Sequence, residues 1–229
     1  MKGLGKNTTC TDCLNTCMKN LFTEKDILLI DNNKSEMSYL PGEPILKQGT
    51  YVSQVIYLKT GLLKIVLEGK NNKNTILKLV NSKNFVALPV LGAPNIYPYS
   101  VEAISNCEVC FIRKESLLEV MERNIPVNQF LLNWYSNDYI YLYSRITTIS
   151  TRNNHGKLAS ALVYLTDENF DKNILNQISR KELAELASIS IDSTNKILME
   201  LKNDRIIDID KNCITILNRE LIVKLSTVG

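Results

Sequence analysis

Up to about Ile112 the apolar residues come in short runs separated by turn signals, the pattern of many short strands. Pro41-Gly42-Glu43-Pro44 and Lys47-Gln48-Gly49-Thr50 bracket the pair Ile45-Leu46. Further runs are residues 55–69 (VIYLKTGLLKIVLEG), 74–80 (NTILKLV), 84–92 (NFVALPVLG) and 100–112 (SVEAISNCEVCFI). Thr60-Gly61 and Gly69-Lys70-Asn71-Asn72 are hairpin-turn material. This spacing predicts an antiparallel barrel or sandwich such as a jelly roll. From Arg113 the period becomes helical. Leu117, Leu118 and Met121 fit a short helix, and Pro126 opens another. Over Val127–Thr151, Phe130, Leu131, Trp134, Ile140, Tyr141, Ile146 and Ile149 recur at threes and fours, which predicts one long helix. Leu132, Tyr135, Tyr139, Leu142 and Tyr143 extend its apolar character to other sides. A helix apolar nearly all round must be covered on several sides. Packing on its own strand domain and on a second copy of itself would do so; burial within one chain is the other solution.

After Arg152-Asn153-Asn154-His155-Gly156 the pattern is mainly helical and closes on residues 204–217 (DRIIDIDKNCITIL), which read as a hairpin turning at Asp210-Lys211-Asn212. Within this region, residues 179–207 (SRKELAELASISIDSTNKILMELKNDRII) have a distinctive layout. Ser179 and Glu182 stand at capping-box spacing before an apolar face of Leu183, Ala184, Leu186 and Ala187. Ser188-Ile189-Ser190 makes a break, and Ser190 or Asp192 can cap a second helix that buries Ile197, Leu198 and Leu201. This is the layout of a helix-turn-helix, whose second helix enters the DNA major groove; an ordinary charged helical hairpin is the plainer reading. Asp192, Ser193, Asn195 and Lys196 are the candidate base-contacting positions, since Asn suits adenine, Lys suits guanine or phosphate, and a carboxylate accepts from cytosine N4. Arg180 and Lys181 are candidates for phosphate contacts. The turn position that usually carries Gly is Ser188, which is expected to be left-handed at a cost of about 1 kcal/mol. The following hairpin would be a wing, with Cys213 in it as a structural residue.

Composition adds little. The 229 residues are 45% hydrophobic and 22% charged with a net charge of +3, ordinary for a soluble protein and too mild to establish a nucleic-acid partner. Neither a signal peptide nor a membrane-length apolar run is visible, so a cytoplasmic protein with no membrane partner is expected. In a reducing compartment, the closely spaced Cys10, Cys13 and Cys17 point to metal or redox chemistry rather than disulfides. The lone His155 reads as a surface residue in a loop, with haem ligation as the sharper alternative.

These parts together resemble the Crp/Fnr transcription regulators. The carriers are residues 40–66 (LPGEPILKQGTYVSQVIYLKTGLLKIV) with Gly42, Gly49 and Gly61, followed by the long helix and residues 179–198, so the likeness runs from about Leu21 to Ile222. The resemblance implies an α+β fold: an N-terminal cyclic-nucleotide-binding-type β-roll (jelly roll), a long dimerisation helix and a C-terminal winged helix-turn-helix. The expected divisions are a cysteine-containing segment at 1–20, a β-roll sensor at 21–125, a dimerisation helix at 126–152 and a DNA-binding domain at 153–229. Members that bind cyclic AMP carry Gly-Glu after a Phe and an Arg-Ser before a strand. Here Val86-Ala87 follow Phe85, Pro98-Tyr99 precede Ser100, and no Arg or Lys lies between Lys83 and Arg113. A phosphodiester would lack a cationic partner. Cyclic AMP is therefore not expected.

The Fnr branch holds a [4Fe–4S] cluster with cysteines before the roll and one late in it. By that resemblance Cys10, Cys13, Cys17 and Cys110 are the candidate ligands, the segment EVCFIRKESL favouring Cys110 over Cys107. The third spacing is shorter than in the best-known Fnr pattern, and two C-x2-C pairs also suit zinc, so zinc or no metal stay open. The expectation is a homodimeric, non-enzymatic regulator of a near-palindromic operator, with RNA polymerase as a further partner and an oxygen- or nitric-oxide-labile cluster as its control. The alternatives are a Crp/Fnr-type regulator answering to a small ligand in the β-roll, a redox enzyme using the cysteines, and a β-roll module without DNA binding. No nucleophile–base pair or phosphate loop supports an enzyme.

Overall fold

The computed structural model describes residues 21–70, 73–92, 95–168, 170–171, 173–211 and 213–229. Contacts divide the chain into two compact units. The first runs to Leu63 and takes in Val80–Tyr139; the second comprises Lys64–Leu79 and Ile140–Gly229.

The first unit opens with helix α1 (Glu24–Asp31). Thr23 and Asp26 form a reciprocal capping box, which satisfies two of the helix's free backbone donors and contributes about 1 kcal/mol. Asp26 is also buried, and it accepts from Arg123 Nε at 2.9 Å and Asn124 Nδ2 at 2.8 Å. Burial alone would raise its pKa; the hydrogen bonds from Thr23 and Asn124 and from Arg123 hold it below the ordinary 3.8. Strand β1 (Lys34–Tyr39) is almost wholly polar and lies at the edge of an antiparallel sheet of order β1-β8-β3-β6, with β3 at Gln54–Thr60, β6 at Asn84–Val86 and β8 at Cys107–Arg113. Its exposed pattern hid it from the apolar periodicity. Strand β2 (Pro44–Leu46) pairs antiparallel with β7 (Ser100–Ala103).

Two runs that read as strands are broken in the structure. Residues 84–92 continue only to Val86, then turn through left-handed Ala87 into a 3-10 turn at Leu88–Leu91. Residues 100–112 split into β7 and β8 around Ile104–Asn106. The three glycines that punctuate the run at 40–66 all have positive φ, 84° at Gly42, 83° at Gly49 and 96° at Gly61. Gly61 has a second constraint: a Cβ there would lie 2.4 Å from Asn106 O and 2.6 Å from Cys107 Sγ.

Helices α2 (Lys114–Arg123) and α3 (Ile125–Thr151) follow. One buried cluster unites Phe22, Ile30, Tyr57, Phe85, Cys110, Leu117, Val127 and Leu131, with Trp134 and Tyr135 against it. Each fully buried large side chain there contributes roughly 1.5–3 kcal/mol. The outward side of α3 is different: Leu132, Tyr139, Ile140, Tyr143 and Ile146 are 59–66% exposed.

The second unit contains most of strands β4 (Leu62–Leu67) and β5 (Thr75–Asn81), which are neighbours in a sheet, and the C-terminal end of α3. It continues through α4 (Asn154–Leu165), α5 (Ile174–Gln177), α6 (Arg180–Ala187), α7 (Ile191–Asn203), the hairpin β9–β10 (Ile207–Asp210, Cys213–Ile216) and α8 (Arg219–Val228). Leu158, Ala159, Ala161 and Leu162 of α4 are fully buried, and α4 packs against α6 and α8. The fold is thus the expected α+β arrangement of a β-roll, a long helix and a helix-turn-helix. His155 sits in the first turn of α4 rather than in a loop, its Nε2 2.7 Å from Glu200 Oε2 of α7.

Candidate nucleic-acid interface

The polar front of α7 is set by two helix caps and one tight turn. At the start of α6, Ser179 Oγ accepts from Glu182 N at 3.2 Å, while Ser179 N donates to Glu182 Oε2 at 2.9 Å. Leu183, Ala184, Leu186 and Ala187 bury the inner face of the helix. Ser188 ends it in the left-handed region, φ 55° and ψ 42°, as expected, and its buried Oγ has no hydrogen-bond partner among the described residues. Ile189 N then donates back to Ala184 O at 3.1 Å, which turns the chain sharply. Ser190, not Asp192, caps α7, its Oγ accepting from Ser193 N at 3.1 Å. Thr194, Ile197, Leu198 and Leu201 face inward and are buried.

That register leaves Asp192, Asn195 and Lys196 exposed on the opposite side, where base edges could be reached. Ser193 is half-buried and its Oγ is 2.9 Å from that of Ser190, so its hydroxyl serves the cap. Lys181 is exposed and pairs loosely with Glu185 one turn on, Nζ to Oε1 3.9 Å. Arg180 is half-buried; burial lowers its pKa, and its Nη1 has no partner among the described residues. Ile191 was not singled out from the sequence. It lies in phase with the buried row at 194, 198 and 201, yet at the first position of α7 it is 44% exposed. A branched apolar side chain there is suited to a thymine methyl. The hairpin turns at Lys211, whose φ is 52°, close to the expected place. Cys213 within it is exposed, so it packs no core there.

Two buried cations reach the same helix pair. Lys64 Nζ of β4 lies 3.0 Å from Glu182 Oε1. Burial pushes the Glu182 carboxyl up, and the Ser179 hydrogen bonds together with the Lys64 charge more than reverse this, leaving it below the ordinary 4.5. Arg145 of α3 is 8% exposed and donates from Nη2 to Leu186 O at 2.5 Å and Ile76 O at 3.2 Å.

Of the candidate metal ligands, Cys10, Cys13 and Cys17 lie outside the described residues. Cys110 is buried in β8, opposite Glu36 of β1 and Tyr57 of β3, and belongs to the main cluster of the first unit. Cys107, three positions earlier, is buried too; its thiol donates toward Leu62 O at 3.4 Å, and burial raises its pKa. Among the described residues no group of three or more His, Cys, Asp or Glu could hold a metal ion.

Residues 36–124 match the model of the cyclic nucleotide-binding domain, and residues 156–225 match that of the Crp-like helix-turn-helix domain. The chain belongs to the Crp/Fnr family of transcription regulators. The regulator is 22% identical to the anaerobic regulatory protein of Bacillus subtilis over 76% of each chain. It shares its fold with FixK2 from Bradyrhizobium japonicum, at a TM-score of 0.76 and 15% identity over 86% of this chain and 98% of that one. It is likewise similar to a Crp/Fnr regulator from Eubacterium rectale, at a TM-score of 0.74 and 15% identity over 92% and 97% of the two chains. These likenesses place the Crp/Fnr regulator among DNA-binding transcription factors rather than enzymes. In its roll Leu88, Val90 and Leu91 are buried and apolar, as are the rings of Tyr97 and Tyr99. Tyr97 donates to Gln54 O at 2.7 Å, and burial raises the pKa of both tyrosines.

Proposed function

We propose that the regulator works as a homodimer on a near-palindromic operator and takes its signal through cysteine ligands rather than through cyclic AMP. The observation that carries the dimer is the exposed apolar side of α3. Leu132, Tyr139 and Ile146 recur at sevens, with Tyr143 four residues after Tyr139, the seam of a two-helix coiled coil. A second copy of the same helix is the partner that a seven-residue repeat suits. The dimer would set two α7 helices about one DNA turn apart, roughly 34 Å. Asn195 and Lys196 would read bases, Lys181 and Arg180 would contact phosphate, and Asp192 and Ser193 would stand at the groove edge. RNA polymerase is the natural further partner of such a regulator. No helix among the described residues is long and apolar enough to cross a membrane.

The donor set fits the Fnr-type cofactor in chemistry. Four thiols, Cys10, Cys13, Cys17 and Cys110, would hold a [4Fe–4S] cluster. Cys110 shares its buried cluster with Phe22, and Cys17 precedes Phe22 by five residues, a span of at most roughly 18 Å. When bound, such a group supplies sensitivity to oxygen or nitric oxide. The chain's own part is to tie residues 10–17 to β8, which belongs to the same unit as the N-terminal half of α3. Zinc on the same thiols is the alternative. A small ligand held by the roll is another.

Selection from a random duplex library tests the DNA reading: recovery of a near-palindrome is expected, and no enrichment over random sequence would refute it. An anaerobic spectrum with iron and sulfide assays tests the cofactor. Roughly four of each per chain, lost in air, are expected. A colourless protein that stays iron-free after anaerobic reconstitution removes the cluster.

A further inference from the structure

Arg145 is a poor way to fill space. Its guanidinium is buried, its Nε has no hydrogen-bond partner among the described residues, and no ion pair among them includes it. It is held by two carbonyls, Leu186 O in the last turn of α6 and Ile76 O on β5. A methionine of similar length would fill the site without desolvating a charge. What the guanidinium adds is direction, since its planar donors fix the angles at which the carbonyls approach. The carbonyls that end a helix are also where a cation is most favoured.

The other end of α6 repeats the arrangement with different chemistry. Lys64 is nearly buried and meets Glu182 in the first turn, where Glu182 already closes the capping box with Ser179. Glu182 and Leu186 are four residues apart, one helical turn, so the two cations grip successive turns of a helix of eight residues. One polar attachment would let a short helix pivot; two separated by a turn remove that freedom. The turn at Ser188, closed by the Ile189 N to Ala184 O bond, passes the orientation of α6 directly to α7.

We propose that Lys64 and Arg145 form a two-point clamp on α6 that fixes the direction in which α7 is presented to DNA. The two are positioning residues; neither is assigned a DNA contact. The role at DNA rests on the dimeric, operator-binding reading above, and the clamp on α6 is separately measurable.

The test uses the full chain with Arg145→Met, Lys64→Met and the conservative Arg145→Lys. Backbone hydrogen exchange is followed by peptide across α4, α6 and α8. In the two methionine variants the α6 amides are expected to exchange about tenfold faster, with α4 and α8 unchanged and Arg145→Lys partly restoring protection. Unchanged α6 exchange overturns the clamp, and so does a uniform rise across all three helices. The selected half-site is then placed in duplexes whose centre-to-centre spacing is varied by single base pairs about one turn. The wild type should prefer one spacing by about tenfold or more, and Arg145→Met should flatten that preference. An equal loss at every spacing overturns the positioning role. If the wild type binds no duplex, the operator reading fails, while the exchange result still decides the clamp.

Discussion

Replacing Ile146 by alanine tests the seam on α3 with little risk to the helix itself, because alanine has the higher helix propensity. Ile146 is 62% exposed in the single chain. Burying a whole isoleucine contributes about 2 kcal/mol, so the exposed part is worth about 1.2 kcal/mol if a partner covers it. Twofold symmetry doubles this, and the alanine methyl retains a share, leaving about 2 kcal/mol, or roughly 30-fold in the dimer dissociation constant. Sedimentation equilibrium over a dilution series measures it. Asn137→Ala, exposed but on the far side of the same helix, is the control and should leave the constant unchanged. A dimer of wild-type affinity in Ile146→Ala would refute the seam, as would a wild-type chain that stays monomeric at the highest concentration reached. Leu132→Ala should behave like Ile146→Ala, since the two lie two heptads apart.

Ser188→Gly should raise the thermal midpoint, gaining about 1 kcal/mol by relieving the left-handed strain and removing a buried unpartnered hydroxyl; a lower midpoint would contradict that account. Gly61→Ala should cost several kcal/mol in chemical denaturation, at least about 1 from its positive φ and the rest from collision with Asn106 O and Cys107 Sγ. Asp26 and Glu182 both titrate below their ordinary values of 3.8 and 4.5 when folded. Their contribution is therefore complete above those values and lost as pH falls through the lowered ones, so Asp26→Asn and Glu182→Gln should each flatten the fall in stability below about pH 4.5. Asn195→Ala and Lys196→Ala should each weaken binding to the selected operator by about 1–3 kcal/mol in anisotropy titrations; unchanged affinity would remove α7 as the reading helix.

Some of this architecture was legible in the sequence and some was not, for physical reasons that differ by residue. The helix-turn-helix announced itself because its signals are local: the capping pair Ser179 and Glu182, the apolar face of α6, and a break at Ser188 whose strained conformation was foreseeable from the missing glycine. The long helix was visible from its period, whereas its exposed side became apparent only when Leu131 and Trp134 were seen to take the inner face and Leu132 and Tyr139 were not. Strand β1 escaped because KSEMSY buries almost nothing; it is held by its ladder with β8. Lys64 and Arg145 escaped for the opposite reason. A lone cation in a strand or helix reads as solvated, and their role depends on carbonyls and a carboxylate distant in the sequence. Cys107 and Cys110 stand three positions apart on β8, and both are buried, Cys110 within the cluster that holds Ile30, Leu117 and Leu131 of the helices.

That burial gives the molecule an internal clock. A thiol-modifying reagent added to the native protein meets Cys213 on the surface of the hairpin at once, while Cys107 and Cys110 are sealed inside the first unit. The Cys107 sulfur fills the space that a Cβ at Gly61 would need, and burial pushes its thiol up toward the protonated, unreactive form. Modification of Cys107 must wait for the roll to open. Its labelling rate, resolved by peptide, therefore reports the opening free energy of the sensor, while Cys213 records the reagent's intrinsic speed in the same tube. A regulator whose signal loosens or tightens the roll would shift the first rate and leave the second unchanged.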